Sequence, residues 1–280
     1  MIPASIRAEV LRLRRWPALW VLLGVWFTLN LTFMYLLNYI GYASGDSSDA
    51  TEGQSREQLL AQMMPAAVPE EFTGGTVVFG GALMLILGAM TTGSGYSWDT
   101  WKTVLTQRAS RGAALAGAML GVLAVVVGVV LGAFALDLGV ATVIAWAESQ
   151  PIVLPPIGRA LAGIGSGIVI LAMWAMLGIL LGIVVRGPAP AVGLGLVWIL
   201  VLENVLRFFG ELLGGAGVMT NYLPGTAAGS LAGALRTLPG EATPGVLTTI
   251  SGAQSLLTLS AYLIICVAAA IWLLRRRDLV

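Results

Sequence analysis

The sequence predicts an all-α integral membrane protein with six transmembrane helices. Composition is the first reason: the chain of 280 residues has 58% hydrophobic and only 10% charged residues, and its mean hydropathy is +0.89. Charged residues make up nearer ~25% of a globular domain. Six apolar blocks along the chain are the second reason, and the uneven distribution of basic residues between those blocks is the third.

Each apolar block is long enough to cross a hydrocarbon core of ~30 Å, which takes ~20 helical residues. Helix is expected because lipid offers no partner to an unpaired backbone group. The predicted spans are 17–39, 74–92, 112–136, 160–185, 189–209 and 253–274. These spans and their connections form one transmembrane domain over residues 1–280.

Basic residues indicate the orientation. If both termini are cytoplasmic, the outer segments hold only Arg56, Arg159, Arg207 and Arg236. The inner segments then hold Arg7, Arg12, Arg14, Arg15, Lys102, Arg108, Arg111, Arg186, Arg275, Arg276 and Arg277. This bias follows the positive-inside rule and predicts cytoplasmic N- and C-termini. A basic inner edge suits anionic membrane lipids, and nothing indicates nucleic acid.

Residues 1–16 precede the first span and are predicted to form an amphipathic helix in the inner membrane interface. Ile6, Val10 and Leu13 share one face of that helix, and arginines cover the remainder. The alternative is a basic flank that only sets orientation. The first outer loop, 41–73, is polar and includes the acidic residues Glu70 and Glu71.

Residues 93–111 form the longest inner loop, in which Trp98, Trp101 and Leu105 recur at helical spacing. This pattern predicts a short amphipathic helix, either a docking element or a simple interfacial anchor. The third span carries a stripe of small residues that permits close helix packing. Its members are Gly117, Gly121, Ala124, Gly128 and Gly132.

The second substantial outer segment, 210–252, is only moderately polar. A freely solvated loop would be more hydrophilic, so the segment is predicted to form short helices in the outer leaflet, including one around 227–235.

Several function classes are excluded by residues that the chain lacks. It contains no histidine, which removes histidine metal sites and histidine-based catalytic triads. Lys102 is the only lysine and follows Trp101, so there is no phosphate-binding loop of the Walker type. The chain is therefore not expected to be an enzyme, and we predict no catalytic, cofactor-binding or metal-binding residue in it.

Three segments carry a family resemblance. The first precedes the third span and reads Asp99-Thr100-Trp101-Lys102-Thr103-Val104-Leu105-Thr106-Gln107-Arg108-Ala109-Ser110-Arg111. The second precedes the sixth span and reads Tyr222-Leu223-Pro224, and the third lies near the end of the chain and reads Arg276-Arg277-Asp278-Leu279. With the order of parts, these resemble the membrane subunits of bacterial type-two ATP-binding-cassette (ABC) exporters. Asp99 stands where members commonly have glycine.

The resemblance implies a permease subunit of a multi-pass transporter in the bacterial inner (plasma) membrane. A separate cytoplasmic ABC subunit would bind ATP and Mg and hydrolyse the ATP. A second copy of this chain, or a related permease, would complete the transporter among membrane lipids. The segment that couples to the ATPase would use Trp98, Thr100, Trp101, Leu105, Arg108 and Arg111.

The transport path would run between two permeases, with the first and fifth spans at their interface. Asn30, Asn38, Glu203 and Arg207 are candidates to line or gate that path. Glu203 and Arg207 are spaced i, i+4 and are predicted to form an ion pair, either a structural anchor or an outer gate.

A hydrophobic or amphipathic substrate, such as a drug, lipid or peptide, fits the apolar spans. The alternative function is a secondary transporter or channel that is not coupled to ATP. Such proteins usually place ionisable residues within their spans.

Overall fold

A computed structural model describes residues 2–44, 54–97, 111–212, 217–238 and 244–276. Six helices in these ranges are long and apolar enough to cross a membrane, which confirms the predicted six-helix membrane protein. They are span 1 (Pro17–Ser44), span 2 (Pro65–Ser97), span 3 (Gly112–Ala147), span 4 (Ile157–Val185), span 5 (Pro188–Gly210) and span 6 (Gly252–Arg276). No strand occurs among the described residues.

Shorter helices flank the spans. The N-terminal helix is Ile2–Arg14, and a helix over Arg56–Gln62 follows span 1. Gly217–Thr220 forms one turn, and Pro224–Gly233, here named the loop-end helix, lies before span 6. Contacts define two ends of the bundle. The basic end holds Arg12 and Arg186, and the loop end holds Glu70 and Glu148.

Spans 2 and 3 are longer than the apolar blocks that predicted them. The sequence interpretation placed Glu70 and Glu71 in the first outer loop, and this is wrong in the structure. Both residues lie in the first turn of a helix (Val68–Gly75) that continues into span 2, and both are buried. A carboxylate near a helix N-terminus suits the helix dipole. Span 3 likewise continues past Asp137 to Ala147.

Spans 2 and 4 form the centre of the bundle and pack along most of their length. At their crossing two glycines face the opposite backbone: Gly88 lies against the Ala175 carbonyl, and Gly178 lies against the Leu85 carbonyl. Close backbone approach replaces the hydrophobic effect as the source of helix association in lipid. Spans 3 and 6 pack on span 4, and span 5 packs on spans 2 and 4.

Spans 1, 5 and 6 lie at the periphery. In the most apolar window of span 2, 67% of residues are buried inside the chain, compared with 17% in span 5 and in span 6. Large apolar side chains such as Phe33, Leu200 and Leu257 are therefore exposed. A lipid-facing surface has this composition, because lipid tails solvate apolar side chains.

The N-terminal helix packs against span 3 rather than standing apart from it. Leu13 is fully buried, and a Cβ at Gly121 would meet the Glu9 side chain at 2.7 Å. The small-residue stripe of span 3 thus receives the N-terminal helix at the basic end. Further along, a Cβ at Gly128 or Gly132 would meet nothing within 4 Å, so that part of the stripe is open.

Three spans contain a short π-helical segment: Leu31–Leu36 in span 1, Thr76–Gly80 in span 2 and Trp198–Leu202 in span 5. The first two meet, because the Phe33 and Phe79 rings lie 5.1 Å apart. Insertions of this kind leave backbone groups less regularly bonded and are frequent at functional sites. Asn30 immediately precedes the first segment, and Glu203 immediately follows the third.

Candidate functional site

The predicted coupling segment lies mostly outside the described residues. Trp98, Thr100, Trp101, Leu105 and Arg108 all belong to the undescribed range 98–110. Arg111 is the first residue of the helix that forms span 3. The structure therefore leaves the coupling role of these six residues as a prediction.

Glu203 occupies a buried site between span 5 and the loop-end helix. Only 1% of Glu203 is exposed. The Trp198 indole donates a hydrogen bond to Glu203 Oε1 at 2.9 Å, and the Gly225 backbone N–H also donates to this carboxyl group. Gly225 lies in the first turn of the loop-end helix, where backbone N–H groups lack helical partners. Glu203 therefore caps that helix and fixes it to span 5.

The predicted ion pair between Glu203 and Arg207 does not form in the structure. Arg207 instead donates a hydrogen bond to Asn204 Oδ1 at 2.8 Å on the exposed side of span 5. The i, i+4 spacing made the pair possible, but the Glu203 carboxyl group accepts hydrogen bonds from Trp198 and Gly225, and Arg207 acts on it only through its charge. Sequence spacing on one helix cannot report a partner that arrives from another helix.

Asn30 faces the interior of the bundle. It is 3% exposed, and its amide donates a hydrogen bond to Asp137 Oδ1 on span 3 at 2.7 Å. In this arrangement Asn30 lines a path between two copies only if the contact with Asp137 opens. Asn38 is partly buried, and its amide donates to the Met34 carbonyl one turn earlier at 3.0 Å.

Asp137 is a buried ionisable residue that the sequence analysis did not select as a candidate. The predicted third span ended at residue 136, just before Asp137, yet Asp137 is 0% exposed and lies well inside span 3. The Tyr35 hydroxyl donates to its backbone carbonyl at 3.4 Å. Asn30 and Asp137 are 107 positions apart, so no local pattern connects them.

A second polar cluster fastens the loop end, centred on the buried carboxylate of Glu70. Thr237 donates to Glu70 Oε2 at 2.8 Å through its backbone N–H. Arg236 lies 3.6 Å from Oε1, and Arg159 lies 3.8 Å from Oε2. Arg159 also donates to the Leu235 carbonyl at 2.7 Å. These contacts join span 2, the start of span 4 and the segment after the loop-end helix.

A third set of contacts closes the loop end between spans 1 and 3. The hydroxyls of Tyr39 and Tyr42 donate to the two carboxylate oxygens of Glu148, at 3.0 Å and 2.9 Å. Arg56 stacks on the Tyr42 ring, with 5.2 Å between its guanidinium carbon and the ring centroid. This set is exposed or half-buried, unlike the pair formed by Asn30 and Asp137.

Within the described ranges no group of three or more histidine, cysteine, aspartate or glutamate side chains could hold a metal ion. The buried polar contacts instead join helices across the bundle. No family model matches the chain, and no curated protein matches it. The resemblance to ABC exporter permeases therefore stays a prediction from the sequence.

Proposed function

We propose that the chain is the membrane subunit of an ATP-driven exporter, in which a separate cytoplasmic subunit hydrolyses ATP. The order of parts carries the proposal. The chain has an N-terminal helix, six spans and a buried helix before the sixth span. These parts follow one another in the same order as in ABC exporter permeases. The matching segment at 99–111 connects spans 2 and 3, on the side where the basic residues are concentrated.

The coupling role of that segment is tested with the native complex. Purification from the bacterial plasma membrane should bring down a subunit with a Walker motif, identified by mass spectrometry. In this complex Trp101→Asp should abolish stimulation of the ATPase, while Trp101→Phe should retain it, because aromatic burial supplies the affinity. Trp146→Asp is the matched control, since Trp146 is 77% exposed near the loop end of span 3. Unchanged stimulation in a folded Trp101→Asp complex would refute the assignment.

The exporter would consist of two permeases with the transport path between them. The exposed apolar faces of spans 1 and 5 support this arrangement, since Val21, Leu200 and Val205 are exposed and available to a second copy. Their apolar character fits a hydrophobic or amphipathic substrate. Cysteine at Val205 in a Cys266→Ser chain should crosslink two copies, whereas cysteine at the exposed Leu257 of span 6 should not. Crosslinking only through Leu257 would exclude the proposed interface.

The alternative, a secondary transporter without ATP coupling, has one structural observation in its favour. Asp137 is an ionisable group buried within a membrane span, and such residues commonly serve ion or proton movement. Absence of any ATPase from the native complex, together with transport driven by an ion gradient in vesicles of the purified chain, would favour this alternative.

A further inference from the structure

The inference concerns Asp137 and does not depend on ATP coupling. Asp137 lies on the face of span 3 that meets span 1, and its side chain is sealed from solvent. One carboxyl oxygen, Oδ1, accepts the hydrogen bond from Asn30 at 2.7 Å. The other, Oδ2, is buried without a hydrogen-bond partner among the described residues.

Among the residues that the structure describes, no arginine forms an ion pair with this carboxyl group. The ion pairs formed by Arg12, Arg159 and Arg236 end on Glu9 and Glu70 rather than on Asp137. A buried carboxylate without a counter-ion is far more costly than the neutral acid, because the interior cannot replace its hydration. The neutral acid fits the observed contacts: its carbonyl oxygen is Oδ1, which accepts from Asn30, and its hydroxyl is Oδ2.

Two other titratable groups face this site. Tyr35 on span 1 donates its hydroxyl proton to the Asp137 backbone carbonyl and is buried. Glu71 on span 2 is also buried, and it lies close enough for its charge to act on Asp137 and on Tyr35. A negative charge on Glu71 opposes a second one on Asp137. The burial of Asp137 therefore favours a proton on it, and the charge of Asp137 in turn favours a proton on Glu71.

We propose that Asp137 is a proton-binding site, and that loss of its proton releases span 1 from span 3. A groove of about 390 Å³ between these spans supplies the space for this movement. Leu36 and Tyr39 line it on span 1, and Val140 and Val143 line it on span 3. Tyr35, which contacts the Asp137 backbone, also lines the groove. When the spans part, water reaches the Asp137 carboxyl group, accepts the proton as hydronium and hydrates the remaining carboxylate.

The direction of the pH dependence follows from proton linkage. The closed arrangement holds the proton more tightly than the open one, so it is favoured at low pH and is lost as pH rises. One proton changes the ratio of closed to open forms by up to tenfold per pH unit. Asp137→Asn keeps an oxygen that accepts from Asn30 but has no titratable group. The ratio of closed to open forms in this variant should therefore not change with pH.

The first test detects the proton directly in the full chain, reconstituted in phosphatidylcholine nanodiscs. Infrared spectra at neutral pH should contain the carbonyl stretch of a protonated carboxyl group that Asp137→Asn removes. Glu148→Gln, one residue past the end of span 3, is the matched control and should leave that band in place, because Glu148 is accessible and bonded to two tyrosines. An unchanged spectrum in Asp137→Asn would overturn the proposal. Should that variant not fold, Asn30→Ala must shift the band by removing its hydrogen bond, and an unshifted band would also overturn it.

The second test measures the movement. Spin labels at cysteines replacing Leu36 and Val143, in a Cys266→Ala chain, report the distance between spans 1 and 3 by double electron–electron resonance. The longer distance should gain population as pH rises, by up to tenfold per pH unit. The dependence should disappear in Asp137→Asn. A distance that does not change with pH, or the same change in Asp137→Asn, would refute the coupling of proton loss to span movement.

Discussion

The crossing of spans 2 and 4 gives the sharpest test of how this bundle is held together. A Cβ added at Gly178 would overlap the Leu85 carbonyl oxygen and lie 2.9 Å from Ala89 N. A Cβ added at Gly88 would overlap the Ala175 carbonyl oxygen and lie 2.9 Å from Ile179 N. Because backbone atoms block both positions, no side-chain rotation can relieve the overlap, and the two helices must separate.

The cost of Gly178→Ala follows from this geometry. Separating packed surfaces by roughly 0.5–1 Å forfeits about a quarter to a half of the dispersion energy of each contact. Overpacking at a site of this kind lowers the free energy of unfolding by about 1–3 kcal/mol. Gly165 on the same helix is the matched control, since a Cβ there would meet nothing within 4 Å. Gly165→Ala should be neutral or stabilising by up to ~1 kcal/mol, the helix-propensity difference between the two residues.

The assay is thermal unfolding of the purified chain in detergent, followed by size-exclusion chromatography with fluorescence detection. Gly178→Ala should unfold at a clearly lower temperature than both wild type and Gly165→Ala. The double variant, Gly88→Ala with Gly178→Ala, should lose less stability than the sum of the losses in the two single variants. The reason is that the first methyl group already separates the helices. Equal midpoints for Gly178→Ala and Gly165→Ala would refute the claim that this crossing depends on backbone contact.

Two further predictions concern buried carboxyl groups. Glu203→Gln should weaken the attachment of the loop-end helix by about 1–3 kcal/mol, because the new amide cannot accept from both Trp198 and Gly225. Faster hydrogen exchange over Pro224–Gly233 is the measurement, and Arg207→Gln should leave it unchanged; equal acceleration in both variants would instead indicate an ion pair. For Glu9, burial raises the pKa of the carboxyl group above its usual value of 4.5, and Arg12 opposes this rise only in part. The docked N-terminal helix therefore binds the proton more tightly than the undocked one, and its docking should weaken as pH rises from 4.5 through the raised pKa. Protease cleavage of the N-terminal helix at different pH values measures this, and Glu9→Gln should abolish the dependence while the exposed Glu57→Gln should not.

The number and approximate positions of the spans could be read from the sequence. A lipid core imposes a length of ~20 apolar residues and forbids unpaired backbone groups, and both constraints act locally along the chain. Errors arose where charge interrupts a helix. Glu70 and Glu71 made the predicted second span begin too late, at Gly74, whereas the helical span begins at Pro65. Hydropathy assigns a carboxyl group to a water-exposed segment. Partners such as Arg159 and Thr237 can nevertheless bind the Glu70 carboxylate inside the protein.

The sequence pointed to candidate residues by their chemical type, but it did not predict which residues they contact. Asn30 and Glu203 became candidates because the resemblance implies an interface at the first and fifth spans, and in the structure both are buried inside the chain. Their partners were not foreseen: Asp137 lies on a span remote in sequence, and Gly225 begins a helix outside span 5. The i, i+4 rule pointed to Arg207 because that rule considers one isolated helix.

The sequence by itself determined that this chain is a six-span membrane protein, because burial in lipid selects apolar helices residue by residue. Only the tertiary structure decided which polar groups meet: Asp137 with Asn30, Glu203 with Gly225, and Glu70 with Arg159 and Arg236. The physical reason is that helix packing is fixed by backbone approach at small residues such as Gly88 and Gly178. This crossing sets the rotation of spans 2 and 4, and with it the direction of polar side chains such as Glu70 and Arg159.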